Sequence, residues 1–258
     1  MQSNNFDLST YFRRIDYTGP AAADTATLLA IMRHQLFSIP FENLDVQAGK
    51  IVSLLPEDIA DKLLHQGRGG YCYEVNGLFA MALKALGITY RFVAARPMFY
   101  PARRPKTHMA LIADVGGRQW LCDLGFGSYG IRAPVALDML DADIEQDFDT
   151  FRLTRDAHGE YLLQAKVEGE WCNQYGFDLT PQQWIDFIPA NYLNSTHPDA
   201  IFVQKLLIVQ HRPEGRLILL GDMLKTITAS GVEKQQLAED DIPYVLKNRF
   251  ALHVPACS

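Results

Sequence analysis

The apolar residues of this chain change period at Gly87, and that change limits the folds available to it. Before it, Val75, Leu78, Phe79, Ala82, Leu83 and Leu86 fall at helical spacing on one face. Gly87 is a natural C-terminal stop for that helix. Three earlier segments also read as helical. Phe6 to Ile15 gathers Leu8, Tyr11, Phe12 and Ile15, and Asp24 is placed to cap a helix carrying Leu28, Leu29, Met32 and Leu36. A third, from about Pro56, carries Ile59, Leu63 and Leu64 and stops at Gly67. From Ile88 onward the pattern is extended: Tyr90–Ala95, His108–Val115, Arg118–Asp123, Phe151–Leu153, Tyr161–Val167, Trp171–Phe177, Lys205–Gln210 and Arg216–Leu220. A last helix is expected over Glu239–Phe250. Helices followed by an antiparallel β region and a mixed tail make an α+β fold, not an alternating βαβ one.

With 258 residues, 48% hydrophobic and 21% charged, the chain has enough apolar surface for a sizeable core. The formal net charge of -6 argues against a nucleic-acid-binding protein, which carries a basic face. The densest basic cluster, Arg103, Arg104 and Lys106, suits either a phosphorylated ligand or a solvated loop. No apolar run approaches the ~20 residues that span a membrane, and the N-terminus has no signal-peptide core. A reducing cytoplasm is the expected compartment, with no membrane partner. There Cys72, Cys122, Cys172 and Cys257 stay thiols. They are far apart with no CxxC pair, so no metal site is expected.

Gly69-Gly70-Tyr71-Cys72 runs into a helix start. Unpaired backbone N–H groups and the helix dipole favour a thiolate there, and a lowered pKa makes a thiol a nucleophile. A cysteine at a helix start is as often simply buried. Gly116-Gly117 reads as a two-residue hairpin turn. That turn sets Val115 opposite Arg118 and Ala110 opposite Asp123, with His108 on the same face as Ala110. His108 and Asp123 are then diagonal neighbours with Cβ atoms about 7–8 Å apart. Cys72, His108 and Asp123 thus suit a nucleophile, a base and a carboxylate that orients the base.

The phrases around these residues resemble the arylamine N-acetyltransferases, in particular bacterial members of the N-hydroxyarylamine O-acetyltransferase type. They are Pro40-Phe41-Glu42-Asn43-Leu44, Arg68-Gly69-Gly70-Tyr71-Cys72-Tyr73-Glu74-Val75-Asn76-Gly77, Thr107-His108, Asp123-Leu124-Gly125-Phe126-Gly127 and Asn194-Ser195-Thr196-His197-Pro198. The resemblance implies a cysteine-protease-like core in three parts. Residues 1–87 would be a helical bundle carrying the nucleophile, 88–190 a β-barrel region carrying His108 and Asp123, and 191–258 an α/β lid. It also implies transfer of an acetyl group from acetyl-CoA, through a thioester on Cys72, to a small aromatic amine, hydrazine or N-hydroxyarylamine by a ping-pong mechanism, as in xenobiotic metabolism. Thr107, Gly125, Phe126 and Gly127 would border the coenzyme A moiety. Phe41, Tyr71 and Phe126 would line the acceptor pocket. No metal, nucleic acid or membrane is implied, and the oligomeric state is left open.

Glu42 and Arg68 are expected to form a buried pair behind the cysteine loop. Cys122 is expected to face the core, Cys172 to be structural, and His197 either to approach the cofactor cleft or to serve the turn at Pro198. Tyr73 stands where many bacterial relatives have Phe. Three other readings use the same residues: an amide synthase that loads a polyketide-type acyl group, a thiol hydrolase, and a catalytically silent module that binds aromatic ligands.

Overall fold

The first two helices begin where the sequence provides a cap. The computed structural model describes residues 1–252 apart from Pro101 and Ser128. Asp7 and Asp24 accept from Thr10 N and Thr27 N, opening α1 (Leu8–Arg14) and α2 (Thr25–Ser38). A two-residue strand, β1 (Phe41–Glu42), precedes α3 (Leu44–Gln47). The helix expected from Pro56 is α4 (Pro56–Ala60), continued by a π-helical turn over Asp61–His65; the left-handed Gly67 follows (φ 66°). The helix that opens at Cys72, α5 (Cys72–Ala85), is buried from Cys72 to Leu83 and ends before Gly87.

An eight-stranded antiparallel sheet follows: β2 (Thr89–Pro97), β3 (His108–Val115), β4 (Arg118–Cys122), β5 (Val135–Ala136), β6 (Ile144–Gln146), β7 (Asp149–Arg155), β8 (Tyr161–Val167) and β9 (Glu170–Phe177). Its order is β5-β4-β3-β2-β9-β8-β7-β6. Val115 pairs with Arg118 and Leu111 with Cys122, the register expected of the Gly116-Gly117 turn. Next come α6 (Ile188–Thr196) and α7 (Ile201–Gln204). The second sheet adds β10 (Leu207–Arg212), β11 (Gly215–Leu220), β12 (Met223–Thr228) and β13 (Gly231–Gln236), and α8 (Ile242–Arg249) packs on it. β1 forms its edge beside β10, so the N-terminal region donates a strand to the C-terminal sheet. The chain is an α+β protein.

Five charged side chains lie behind the loop that leads into Cys72. Arg68 Nε donates to Glu42 Oε1 at 2.9 Å, and Lys62 Nζ lies 2.6 Å from both Asp45 and Glu74. The expected Glu42–Arg68 pair is therefore part of a larger cluster. Glu42 and Glu74 also accept from the backbone N–H groups of Leu44 (2.7 Å) and Tyr71 (3.0 Å), which fixes the chain on both sides of the loop. Burial, with Glu42's charge added, pushes the Glu74 carboxyl up to about 7 against the pull of Lys62. Gly69 is required here, because a Cβ at that position would meet the Pro40 carbonyl oxygen at 2.1 Å. Arg68→Ala leaves Glu42 buried without its guanidinium. It is expected to cost about 3–5 kcal/mol in urea unfolding, and wild-type stability in that variant would remove the pair from the account.

Candidate active site

Cys72 is the first residue of α5 and 3% exposed. His108 opens β3, and Asp123 follows the last residue of β4. His108 Nε2 lies 2.7 Å from Asp123 Oδ2, the contact expected from the hairpin register. With Nε2 so engaged, Nδ1 is the ring nitrogen left to exchange a proton. Asp123 Oδ1 accepts from Gly125 N at 2.9 Å and Asn76 Nδ2 at 3.1 Å. The Asp123 carboxyl is held below its usual range: burial pushes it up, but His108 and these donors outweigh that.

Asn76 was not singled out in the sequence, although a signal existed. It is a polar residue one helical turn after Cys72 on an otherwise apolar face. It is fully buried and ties three segments together. Besides Asp123, Nδ2 donates to the Met109 carbonyl at 2.7 Å, and Oδ1 accepts from Leu124 N at 2.9 Å. Tyr175 was also missed. It sits in β9 just after a β-bulge, with its ring 5.1 Å from the His108 ring. Burial and the charge of Asp123 hold its phenol well above the ordinary value, so it stays protonated.

The thiol departs from expectation. A lowered pKa was expected from the helix start, but burial, reinforced by Asp123, pushes Cys72 up. The N–H groups of Met109 and Tyr73 pull the other way without reversing this. Burial therefore favours the neutral thiol at Cys72.

The remaining candidates are placed as follows. Phe126 lies edge-on to His108 at 5.1 Å and packs on Tyr175 at 4.8 Å. Gly125 presses on Cys72: a Cβ there would come within 2.4 Å of Cys72 Cα, and its N–H is committed to Asp123. The carbonyl of Thr107 accepts from Tyr73 Oη at 2.8 Å and Asn194 Nδ2 at 3.0 Å, so the hydroxyl that distinguishes Tyr73 from Phe has a partner. Tyr71 is fully buried; its hydroxyl bonds Asn191 and lies 3.1 Å from Ser195 Oγ. Phe41 is 5% exposed and packs on Phe202. Within the basic cluster, Lys106 pairs with Asp178 at 2.5 Å, Arg104 stacks on Tyr100, and Arg103 is exposed.

Cys122 is buried as expected. Cys172, expected to be structural, is exposed, because it lies in the outward-facing first half of β9. His197 serves the turn, accepting from Asp199 N at 3.2 Å. Cys257 lies outside the described residues. Among the described residues no group of three or more His, Cys, Asp or Glu is placed to hold a metal ion, and no helix is long and apolar enough to cross a membrane.

The turn after Phe126 is held from the second sheet. His211 Nε2 lies 3.1 Å from the Gly127 carbonyl, and Arg132 Nη1 is 3.3 Å from its Nδ1. A guanidinium only donates, so Nδ1 accepts and Nε2 carries the proton. Burial, with the charges of Arg132 and Arg216, pushes His211 down to about 3.

The family model described as N-acetyltransferase matches residues 24–257. The arylamine N-acetyltransferase of Escherichia coli is 32% identical, covering 96% of this chain and 89% of the relative. The arylamine N-acetyltransferase / N-hydroxyarylamine O-acetyltransferase of Salmonella typhimurium is 33% identical over the same shares. The chain belongs to the arylamine N-acetyltransferase family. The Mycobacterium marinum arylamine N-acetyltransferase solved in complex with CoA superposes with a TM-score of 0.91 at 31% identity, covering 98% of this chain and 95% of that one. The family likeness thus extends over both sheets and all the segments that meet at Cys72.

Two predictions follow from these contacts. Gly125→Ala drives a methyl into the backbone of Cys72 and should lower both thermal stability and thiol alkylation rate at Cys72; an unperturbed variant would mean that the Asp123 loop has room to move. His211 is neutral when folded down to about pH 3, whereas unfolded it takes up a proton near 6.5. The unfolded state therefore binds more protons between those values, and stability falls as pH drops through that window by up to about 1.4 kcal/mol per unit. His211→Gln should flatten the melting-temperature curve between pH 6.5 and 4, and an unchanged slope would assign the acid sensitivity to other groups.

Proposed function

We propose that this protein transfers an acetyl group from acetyl-CoA to arylamines, arylhydrazines or N-hydroxyarylamines through a thioester on Cys72. The observation that carries this reading is the 2.7 Å His108–Asp123 contact beside a cysteine at the start of a buried helix. The names of the relatives, and the CoA complex of one of them, supply the acyl donor and the acceptor class.

Because burial raises the thiol, Cys72 reacts by giving its proton to His108 as the sulfur attacks the acetyl carbonyl. Asp123 holds the imidazole in one orientation and stabilises the cation that forms. The N–H groups of Tyr73 and Met109, which point to the Cys72 sulfur, steady negative charge that develops there during the attack. His108 then returns the proton to the departing CoA sulfur. In the second half, the acceptor nitrogen or oxygen attacks the acetyl-cysteine, His108 takes the acceptor's proton, and that proton returns to the Cys72 sulfur.

Phe126 forms a wall beside His108 that suits a flat aromatic acceptor. Gly127 and the Thr107 hydroxyl border the donor. Gly125 contributes by letting the loop reach Cys72, its N–H being spent on Asp123. Tyr71 and Phe41 shape the acceptor pocket from behind. The expected lid is 191–258, of which 253–258 lie outside the described residues; its described part closes over the cleft, which the reach of Asn194 to Thr107 and of His211 to Gly127 supports. A cysteine only 3% exposed favours acyl transfer over hydrolysis, since water has little access to the acyl-enzyme.

Intact mass after brief mixing with acetyl-CoA, without amine, tests the mechanism. Wild type should gain one acetyl group and lose it when an arylamine is added. Cys72→Ala should gain none, and His108→Ala should acylate roughly 10²–10⁴-fold more slowly. An acetylated Cys72→Ala variant would sink the covalent route.

A further inference from the structure

A cavity of about 470 Å³ opens where α1, the end of α2, β10 and the end of α8 meet, lined by Arg14, Phe37, Pro40, Arg212, Arg249 and Phe250 among others. No carboxylate lines it, and none of the three guanidiniums forms an ion pair with a carboxylate among the described residues. That is unexpected in a chain with a formal net charge of -6. Elsewhere in this protein buried arginines are neutralised: Arg68 by Glu42, Arg132 by Asp147, Arg216 by Asp149.

The hydrogen bonds that these arginines do make leave donors over. Arg14 gives Nε to the Leu63 carbonyl (2.9 Å), Nη1 to Ser38 (2.8 Å) and Nη2 to Arg68 (3.3 Å). A guanidinium has five N–H groups, so two remain. Arg212 gives one, from Nη2 to the Arg249 carbonyl at 2.9 Å, and four remain. The side chain of Arg249 is on an exposed position at the end of α8. Carbonyl partners satisfy donors without cancelling charge, and burial works against the Arg14 cation, lowering its pKa. Three like charges facing one cavity repel until an anion enters. Forked guanidiniums match the geometry of phosphate oxygens. Phe37 and Phe250 add apolar wall for the rest of a ligand.

We propose that this cavity is an anion-binding site, distinct from the cleft at Cys72, that takes a small organic phosphate with an aromatic or apolar body. None of Cys72, His108, Asp123, Phe126 or Gly127 lines it. It lies behind the nucleophile loop: Pro40 and Gly67 are in its wall, and Arg14 clamps the Arg68 carbonyl. The site does not depend on the acetyl-transfer mechanism.

Titration calorimetry of the full chain with phenyl phosphate at low ionic strength tests it, beside inorganic phosphate and phenol. Wild type should bind phenyl phosphate at one site, more tightly than inorganic phosphate and far more tightly than phenol. Raising the salt should weaken binding. Arg249→Gln and Arg212→Gln should each weaken it at least tenfold. Arg249 is exposed, so its variant retains the fold and decides the matter even if Arg212→Gln is unstable. No binding to wild type, or full affinity in a folded Arg249→Gln, would overturn the assignment, the second because it would place the anion elsewhere. Phenol binding as well as phenyl phosphate would overturn it too, by showing that the guanidiniums are not what holds the ligand.

Discussion

A carboxylate taken out of water must find donors for both oxygens or stay protonated, and Asp123 is 1% exposed. Its donors come from three directions: His108 at the start of β3, Asn76 one turn into α5, and Gly125 in its own loop. That requirement fixes the helix against the sheet. Asn76 can reach Asp123 and the Met109 carbonyl together only if α5 lies across the start of β3, which is also what brings Cys72 beside the base. The two candidate residues Cys72 and His108 are therefore placed by a carboxylate buried behind them. Gly125 completes the arrangement by letting the Asp123 loop rest on the Cys72 backbone.

The second anchor lies behind the loop. Glu74 is two residues after Cys72, and its carboxylate holds Tyr71 N on one side and Lys62 on the other. Glu42, held by Arg68, fixes the strand that runs beside Gly70. Cys72 is thus bracketed by charged groups whose separation would leave buried charge without a partner. A loop with that penalty on both sides stays where the catalytic geometry needs it.

The juxtaposition of His108 and Asp123 was legible in the sequence, because it rests on local rules. The Gly116-Gly117 turn fixes the hairpin register, and the register alone brings His108 and Asp123 to one face. Asp24 and Gly87 mark helix ends by capping and by left-handed backbone, both single-residue properties. What was not legible depends on distant packing. β13 was missed because Gly231–Gln236 is exposed throughout and shows no apolar alternation. β1 is two residues long and is a strand only because β10 lies beside it. The thiol's direction was read from the helix start alone; the burial that reverses it is a property of the whole core. Tyr175 reaches the site by way of a β-bulge at which the pairing shifts, and simple alternation does not predict that.

The C-terminal third then has a specific physical task. The carbonyls of Thr107 and Gly127 flank His108 and Asp123, and neither is paired within a strand, although Gly127 also accepts from Gly130 N at 3.2 Å. Asn194 from α6 satisfies the first, together with Tyr73, and His211 from β10 satisfies the second. His211 donates from Nε2; burial with the neighbouring Arg132 and Arg216 keeps it neutral, and the Arg132 guanidinium at Nδ1 sets its tautomer. Arg132 is in turn held by Asp147 in the first sheet, between β6 and β7. A chain of donors and acceptors thus runs from the first sheet through Arg132 to the second and back to the loop carrying Phe126. Each link is a buried polar group that would be costly to leave unpaired. The loop that faces the reacting atoms is therefore set by the docking of the two sheets, which is why the site needs the second sheet although its candidate catalytic residues all precede it.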